Sequence, residues 1–143
     1  MGPVHETKVS LSFFGDDLDP AELTALLGAQ PSFAAMKGEK WITAGGNERI
    51  ATKGSWQLRT APSAPGDIPG QVARIFAGLT DDLTIWQQLA QRFQARLFCG
   101  LFMEEINEGL RLDPALLDAI GQRGLFLDFD IYGPMIEPSV NQA

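Results

Sequence analysis

A single α+β domain, a mixed sheet of about five strands with helices packed on one face, is the fold class that the sequence predicts. Three observations carry that expectation. Residues near both ends of the chain alternate apolar and polar with the period of a half-buried strand, as in Val9, Leu11 and Phe13 against Lys8, Ser10 and Ser12. The middle of the chain repeats apolar residues with the period of a helix. The chain has 143 residues, 45% of them apolar, and a chain of that length buries roughly two-thirds of its unfolded surface without staples. The expected domain spans 1–143, with an ordered core over residues 7–133 and flexible termini.

The elements follow in the order β-α-β-β-α-α-β-α-β. Thr7 to Gly15 is the first strand. Asp19-Pro20-Ala21-Glu22 then starts a helix, with an aspartate cap, proline at the first helical position and a glutamate placed to reach back to the cap. Gly28 stops that helix as a left-handed cap. Gln30-Pro31 disfavours helix, and Gly38 and Gly45-Gly46-Asn47 mark turns around Lys40-Trp41-Ile42-Thr43. That stretch is expected to form a hairpin with Ser55 to Thr60, where Trp56 and Leu58 alternate with Gln57 and Arg59.

Ile68, Val72, Ile75, Phe76 and Leu79 define the next helix, and Trp86, Leu89, Ala90 and Phe93 the one after it. Arg96 to Met103 is a strand, Asp113 to Ile120 a helix and Leu125 to Tyr132 the last strand, followed by an irregular tail from Gly133. Strands one, four and five are expected at the centre of the sheet. An internal echo links Leu18-Asp-Pro-Ala-Glu-Leu-Thr-Ala-Leu-Leu-Gly28 to Leu112-Asp-Pro-Ala-Leu-Leu-Asp-Ala-Ile-Gly121. It is read either as a strand-helix pseudo-repeat or as two ordinary Asp-Pro helix starts.

Eleven Lys plus Arg against 18 Asp plus Glu give a net charge of −7, which repels nucleic acid and an anionic membrane surface. One cysteine cannot form an internal disulfide. No apolar run approaches the roughly eighteen residues of a membrane span, the N-terminus lacks an apolar signal core, and Glu6 stands where a myristoylation signal needs Ser or Thr. The expected location is the cytoplasm.

Catalytic motifs are missing: no nucleophile elbow, phosphate loop, dinucleotide fingerprint or zinc-protease helix occurs. His5 lies in a stretch expected to fray, and Cys99 lies among Leu97, Phe98 and Leu101 as an inert buried thiol. The sharpest local feature is the last strand, where Asp128, Asp130 and Tyr132 share one face and Leu127, Phe129 and Ile131 the other. Two carboxylates on one face suit a cation or a polar ligand; equally, Arg59 or Arg96 from neighbouring strands can neutralise them. The candidate ligand-binding residues are Asp128, Asp130, Tyr132, Arg59 and Trp41. No catalytic residue, cofactor or metal ligand is assigned.

The order of short motifs resembles the bacterial domain-of-unknown-function family 4279. The motifs are Leu18-Asp-Pro-x-Glu-Leu-Thr-x-Leu-Leu-Gly28, Pro31-Ser32, Lys37-Gly38, Gly54-Ser-Trp56-x-Leu58 and Leu127-Asp-Phe-Asp-Ile-Tyr132. The resemblance spans Thr7 to Tyr132 and implies a compact α+β domain without an established activity, so no residue role carries over.

Two function classes follow. The first is a non-catalytic binding or protein-interaction module, meeting a protein partner or a second copy of itself, with an immunity or inhibitor role against a basic toxin domain as one concrete form. The alternative is a small-ligand or metal-binding domain, or an enzyme, built on the polar face of Asp128 and Asp130. At the level of local structure, the Asp19 cap makes a direct prediction. Asp19→Ala should lower the free energy of unfolding by about 0.5 to 2 kcal/mol, and a denaturant titration that shows no loss overturns the cap.

Overall fold

A computed structural model describes residues 2–135. Its elements are β1 (Gly2–Pro3), β2 (Glu6–Gly15), α1 (Pro20–Leu27), β3 (Phe33–Ala35), β4 (Lys40–Ile42), β5 (Glu48–Ile50), β6 (Gly54–Arg59), α2 (Ile68–Ala77), α3 (Leu83–Arg92), β7 (Gln94–Phe102), β8 (Glu108–Gly109), α4 (Pro114–Gln122) and β9 (Phe126–Tyr132). The main sheet runs β3-β6-β2-β7-β9. It is mixed, because β7 and β9 pair in parallel while the other neighbours are antiparallel.

The α+β class is as the sequence predicts, and the helices share one face of the sheet. Val9, Leu11 and Phe13 of β2 point to that face with Trp56 of β6 and Ala95, Leu97, Cys99 and Leu101 of β7. They form one cluster with Leu23 and Leu27 of α1, Val72 and Ile75 of α2, Trp86 and Leu89 of α3 and Ile120 of α4. Phe13 sits in the middle, 6.0 Å from the ring of Trp56 in an edge-on arrangement and 6.3 Å from that of Trp86. Both buried indoles keep a partner: Trp56 Nε1 donates to Thr24 Oγ1 at 3.1 Å and Trp86 Nε1 to the Thr80 carbonyl at 2.8 Å.

The aspartate caps follow the sequence, whereas Glu22, expected to reach back to the Asp19 cap, instead accepts from Arg92 through Oε1 at 2.7 Å. Asp19 Oδ1 accepts from the Ala21 amide at 3.1 Å, and Asp113 Oδ1 from the Leu116 amide at 2.8 Å. Gly28 closes α1 with φ of 88°, a left-handed conformation that glycine adopts without strain. Both echoed motifs therefore start helices, but they enter different connections. From β7 the chain crosses through α4 to the parallel neighbour β9, whereas β2 and β6, on either side of α1, are antiparallel.

Three expectations need correction, and one strand of the main sheet was unforeseen. The N-terminal residues do not fray: β1 runs parallel to β8, and Val4 is 4% exposed within the core. The stretch from Lys40 does not pair with Ser55–Thr60. It forms its own hairpin with β5, closed where the Gly46 amide donates to the Thr43 carbonyl at 2.9 Å, and β6 pairs with β2 and β3 instead. β3 itself carries no strand pattern in the sequence. Finally, β9 is an edge strand, because the β6 and β7 pairings already occupy both sides of β2. Residues 133–135 of the tail are irregular as expected, and the rest of it lies outside the described residues.

Edge placement alters the energetics of β9. Leu127 packs on the core, but Phe129 is 43% and Ile131 59% exposed, so they point to the helix side without being covered. Leu97→Ala in the central strand β7 should therefore cost about 2 to 5 kcal/mol, and Phe129→Ala about 1 kcal/mol or less. Equilibrium unfolding of the two variants checks this; equal losses would mean that β9 is covered in solution.

Candidate functional site

The face opposite the helices is built by the alternate residues of the same strands. It presents Lys8, Ser10 and Phe14 from β2, Gln57 and Arg59 from β6, Arg96, Phe98, Gly100 and Phe102 from β7, and Phe126, Asp128, Asp130 and Tyr132 from β9. Two hollows lie on it. The larger, about 440 Å³, is walled on one side by the β4–β5 hairpin and lined by Phe14, Phe33, Trp41, Arg49, Lys53 and Arg96 among others. There Trp41 stands edge-on to Phe33, with ring centroids 5.0 Å apart. The smaller, about 220 Å³, crosses β6, β2, β7 and β9 and is lined by Lys8, Arg59, Phe98, Gly100, Asp130 and Tyr132 with their neighbours.

Arg96 separates the two. Its guanidinium lies 5.4 Å from the Phe14 ring centroid and 4.9 Å from that of Phe98, and Nη1 donates to Asp128 Oδ2 at 3.2 Å. Its Nε finds no acceptor among the described residues. The cation is thus held by two rings and one carboxylate, in contacts individually worth roughly 0.5 to 1 kcal/mol at exposed sites.

The sequence places Asp128 and Asp130 on one face, and the structure agrees but gives them separate partners. Asp128 closes onto Arg96, outside the smaller hollow, whereas Asp130 Oδ2 accepts from the Tyr132 hydroxyl at 2.7 Å inside it. Tyr132 also stacks on Phe102, with centroids 4.9 Å apart and planes 2° from parallel. Of the two arginines expected beside the aspartates, Arg96 takes Asp128, whereas Arg59 donates to Gln57 Oε1 at 3.3 Å. Of the five candidate residues, Asp130, Tyr132 and Arg59 meet in one hollow and Trp41 lines the other. Among the described residues no group of three or more His, Cys, Asp and Glu side chains could hold a metal.

Charge is segregated. Lys8, Arg49, Lys53, Arg59 and Arg96, five of the chain's 11 basic residues, line the two hollows, and Asp130 is the one acidic residue among the lining groups. Among the described residues, neither Lys8 nor Arg59 has a carboxylate within the 4.0 Å ion-pair distance. Lys8, Arg49, Lys53 and Gly100 had no place among the sequence candidates. The parity of Lys8 with Ser10 and Ser12 is the one local signal that could have found it.

Nucleophile chemistry lies elsewhere. Cys99 is fully buried on the helix side, where burial and, secondarily, the charge of Asp128 push its thiol up to about 12. His5 Nδ1 lies 3.2 Å from Glu104 Oε2, and His5 lines neither hollow. The expected inert character of Cys99 fits this placement.

The fold and face define a small α+β domain with one side of its sheet open. The match to the family model described as Domain of unknown function (DUF4279) covers residues 5–134. The chain belongs to that family. Neither the curated proteins nor the solved structures contain a match to it. No helix among the described residues is long and apolar enough to cross a membrane.

Tyr132 is the chain's one tyrosine, so its titration can be read directly. Its hydroxyl donates to Asp130 and the carboxylate charge repels a tyrosinate, which together hold the phenol above its usual pKa of 10.0. In an ultraviolet titration the ionisation should fall above pH 10, and in Asp130→Asn it should move down toward 10. An unchanged midpoint would show that the hydrogen bond is absent in solution.

Proposed function

We propose that the chain is a non-catalytic binding module whose open sheet face takes a ligand presenting an anionic group beside a flat apolar one. The observation that carries this reading is the uncovered face itself. It gathers aromatic side chains and five basic residues into two hollows, on a chain whose net charge is −7. Concave sites with an apolar lining and a few convergent polar groups are the usual form of ligand sites. Cations with no internal carboxylate are free to meet an external one.

The catalytic alternative has less support. Asp128 is engaged by Arg96 and lies outside both hollows, so the two aspartates do not converge on one point as an acid–base pair would. An inhibitor role against a cationic partner would have to use the acidic loops around Asp16 and Glu104 instead, since the open face is locally basic. The single unpaired cysteine supports a cytoplasmic setting.

A side-chain nuclear magnetic resonance titration tests the reading, with benzoate as probe. The Nε–Hε signals of Arg59 and Arg96 should move on addition of benzoate, while that of Arg111, in the hollow beside the start of α2, stays in place. Equal movement of all the arginines, or none, would remove the open face as the recognition surface.

A further inference from the structure

The smaller hollow has a pattern that goes beyond a basic patch. In register, Lys8, Gly100 and Asp130 form one row across β2, β7 and β9. Strands lie about 4.8 Å apart, so the α-carbons of Lys8 and Asp130 are about 10 Å apart, with only a glycine between them. Among the described residues the two opposite charges make no ion pair with each other or, in the case of Lys8, with anything else.

Along β7, Phe98 and Phe102 flank Gly100 two residues to either side, and side chains at that spacing point to the same face. A Cβ at Gly100 would come within 3.3 Å of the Phe102 ring, which leans toward the glycine, and 3.9 Å of Lys8 Cβ, and both Gly100 and Phe102 line the hollow. The gap is therefore apolar at its base and flanks, cationic at the β2 and β6 side, where Arg59 adds a second positive group, and anionic at the β9 side. Asp130 Oδ2 is occupied by the Tyr132 hydroxyl, and a carboxylate retains further acceptor positions.

Building on the reading of the open face as a recognition surface, we infer that the hollow over Gly100 is a subsite for a small amphipathic zwitterion, an α-amino acid with an aromatic or other large apolar side chain. Its carboxylate meets Lys8 and Arg59, its ammonium meets Asp130, and its side chain lies over Gly100 between Phe98 and Phe102. Charge complementarity selects this class. A simple anion leaves Asp130 repelled and a simple cation leaves Lys8 and Arg59 repelled, whereas one small molecule with both charges satisfies the row through charge-assisted contacts of about 2.8 Å at each end. The size agrees, since about 220 Å³ is below the roughly 300 Å³ at which sites for drug-sized ligands begin.

The test is titration of the whole protein with L-phenylalanine, phenylacetate, which lacks the ammonium-bearing carbon, and phenethylamine, which lacks the carboxylate. Saturable binding of L-phenylalanine is expected, with each analogue at least about tenfold weaker. Asp130→Asn should weaken L-phenylalanine about tenfold and should strengthen phenylacetate, whose carboxylate it no longer repels, and Lys8→Met should weaken both. Gly100→Ala, whose folding is checked by its thermal unfolding curve, should weaken all three probes by filling the floor. Phenylacetate binding as tightly as L-phenylalanine, or an Asp130→Asn variant that binds L-phenylalanine normally, overturns the zwitterion subsite. If L-phenylalanine fails to bind while benzoate still moves Arg59 and Arg96, the subsite falls and the open-face reading stands. If both probes are silent, both fall.

Discussion

The alternation of β2 and β7 is the constraint from which the remaining structure follows. Odd-numbered residues from Val9 to Phe13 and from Ala95 to Leu101 are apolar, and Leu11, Phe13 and Leu97 have no exposed surface. With side chains alternating strictly across a strand, every such residue points to one side, and the four helices have only that side on which to bury their own apolar stripes. Phe13 anchors the assembly by meeting Trp56 and Trp86 together. A buried polar clamp fixes α2 to the strand: Thr7 Oγ1 donates to Gln71 Oε1 at 2.7 Å, while Gln71 Nε2 donates to the carbonyls of Thr7 and Ala61. Gln71 is fully buried; without it the Thr7 carbonyl still accepts from the Ser63 amide at 2.9 Å, but the Ala61 carbonyl loses its donor, at a cost of about 1 to 3 kcal/mol for a group left unsatisfied.

Placing all helices on one side leaves the other uncovered, and the chemistry of that face comes from what remains. Even-numbered residues of β2 and β7 include Lys8, Arg96, Phe98 and Phe102, which settle into cation–ring contacts: Lys8 Nζ lies 5.1 Å from the Phe102 centroid, and Arg96 lies near both Phe14 and Phe98. Such contacts orient a cation without neutralising it. The groups lining these hollows therefore carry a net charge opposite in sign to that of the chain, and salt limits its reach to about 8 to 10 Å.

Much of this was legible because it is local. Period-two alternation identified β2 and the face shared by Asp128, Asp130 and Tyr132, and Asp-Pro identified the starts of α1 and α4. Partner choice was not legible, since nothing within Lys40–Thr43 specifies pairing with Glu48–Ile50 rather than with the later Ser55–Thr60 stretch. Periodicity also told which way Phe129 and Ile131 point but not whether a helix covers them, which depends on β9 being outermost. The part of Gly100 in the hollow was hidden for a related reason. Gly100 reads as a weak position in a strand, and only the register that sets it between Lys8 and Asp130 makes it a floor.

The same register explains how an exposed edge strand coexists with so much apolar surface. Among the described residues β9 pairs on one side of its backbone only, and Phe126, Phe129, Ile131 and Tyr132 are exposed along it, a combination that invites another strand. In an antiparallel pairing of two copies centred on Phe129, Asp128 of one strand would stand opposite Asp130 of the other. Like charges at that position repel, and the Asp130 carboxylate could not turn inward without giving up the Tyr132 hydroxyl. The carboxylate that borders the hollow thus also places a like charge against that pairing.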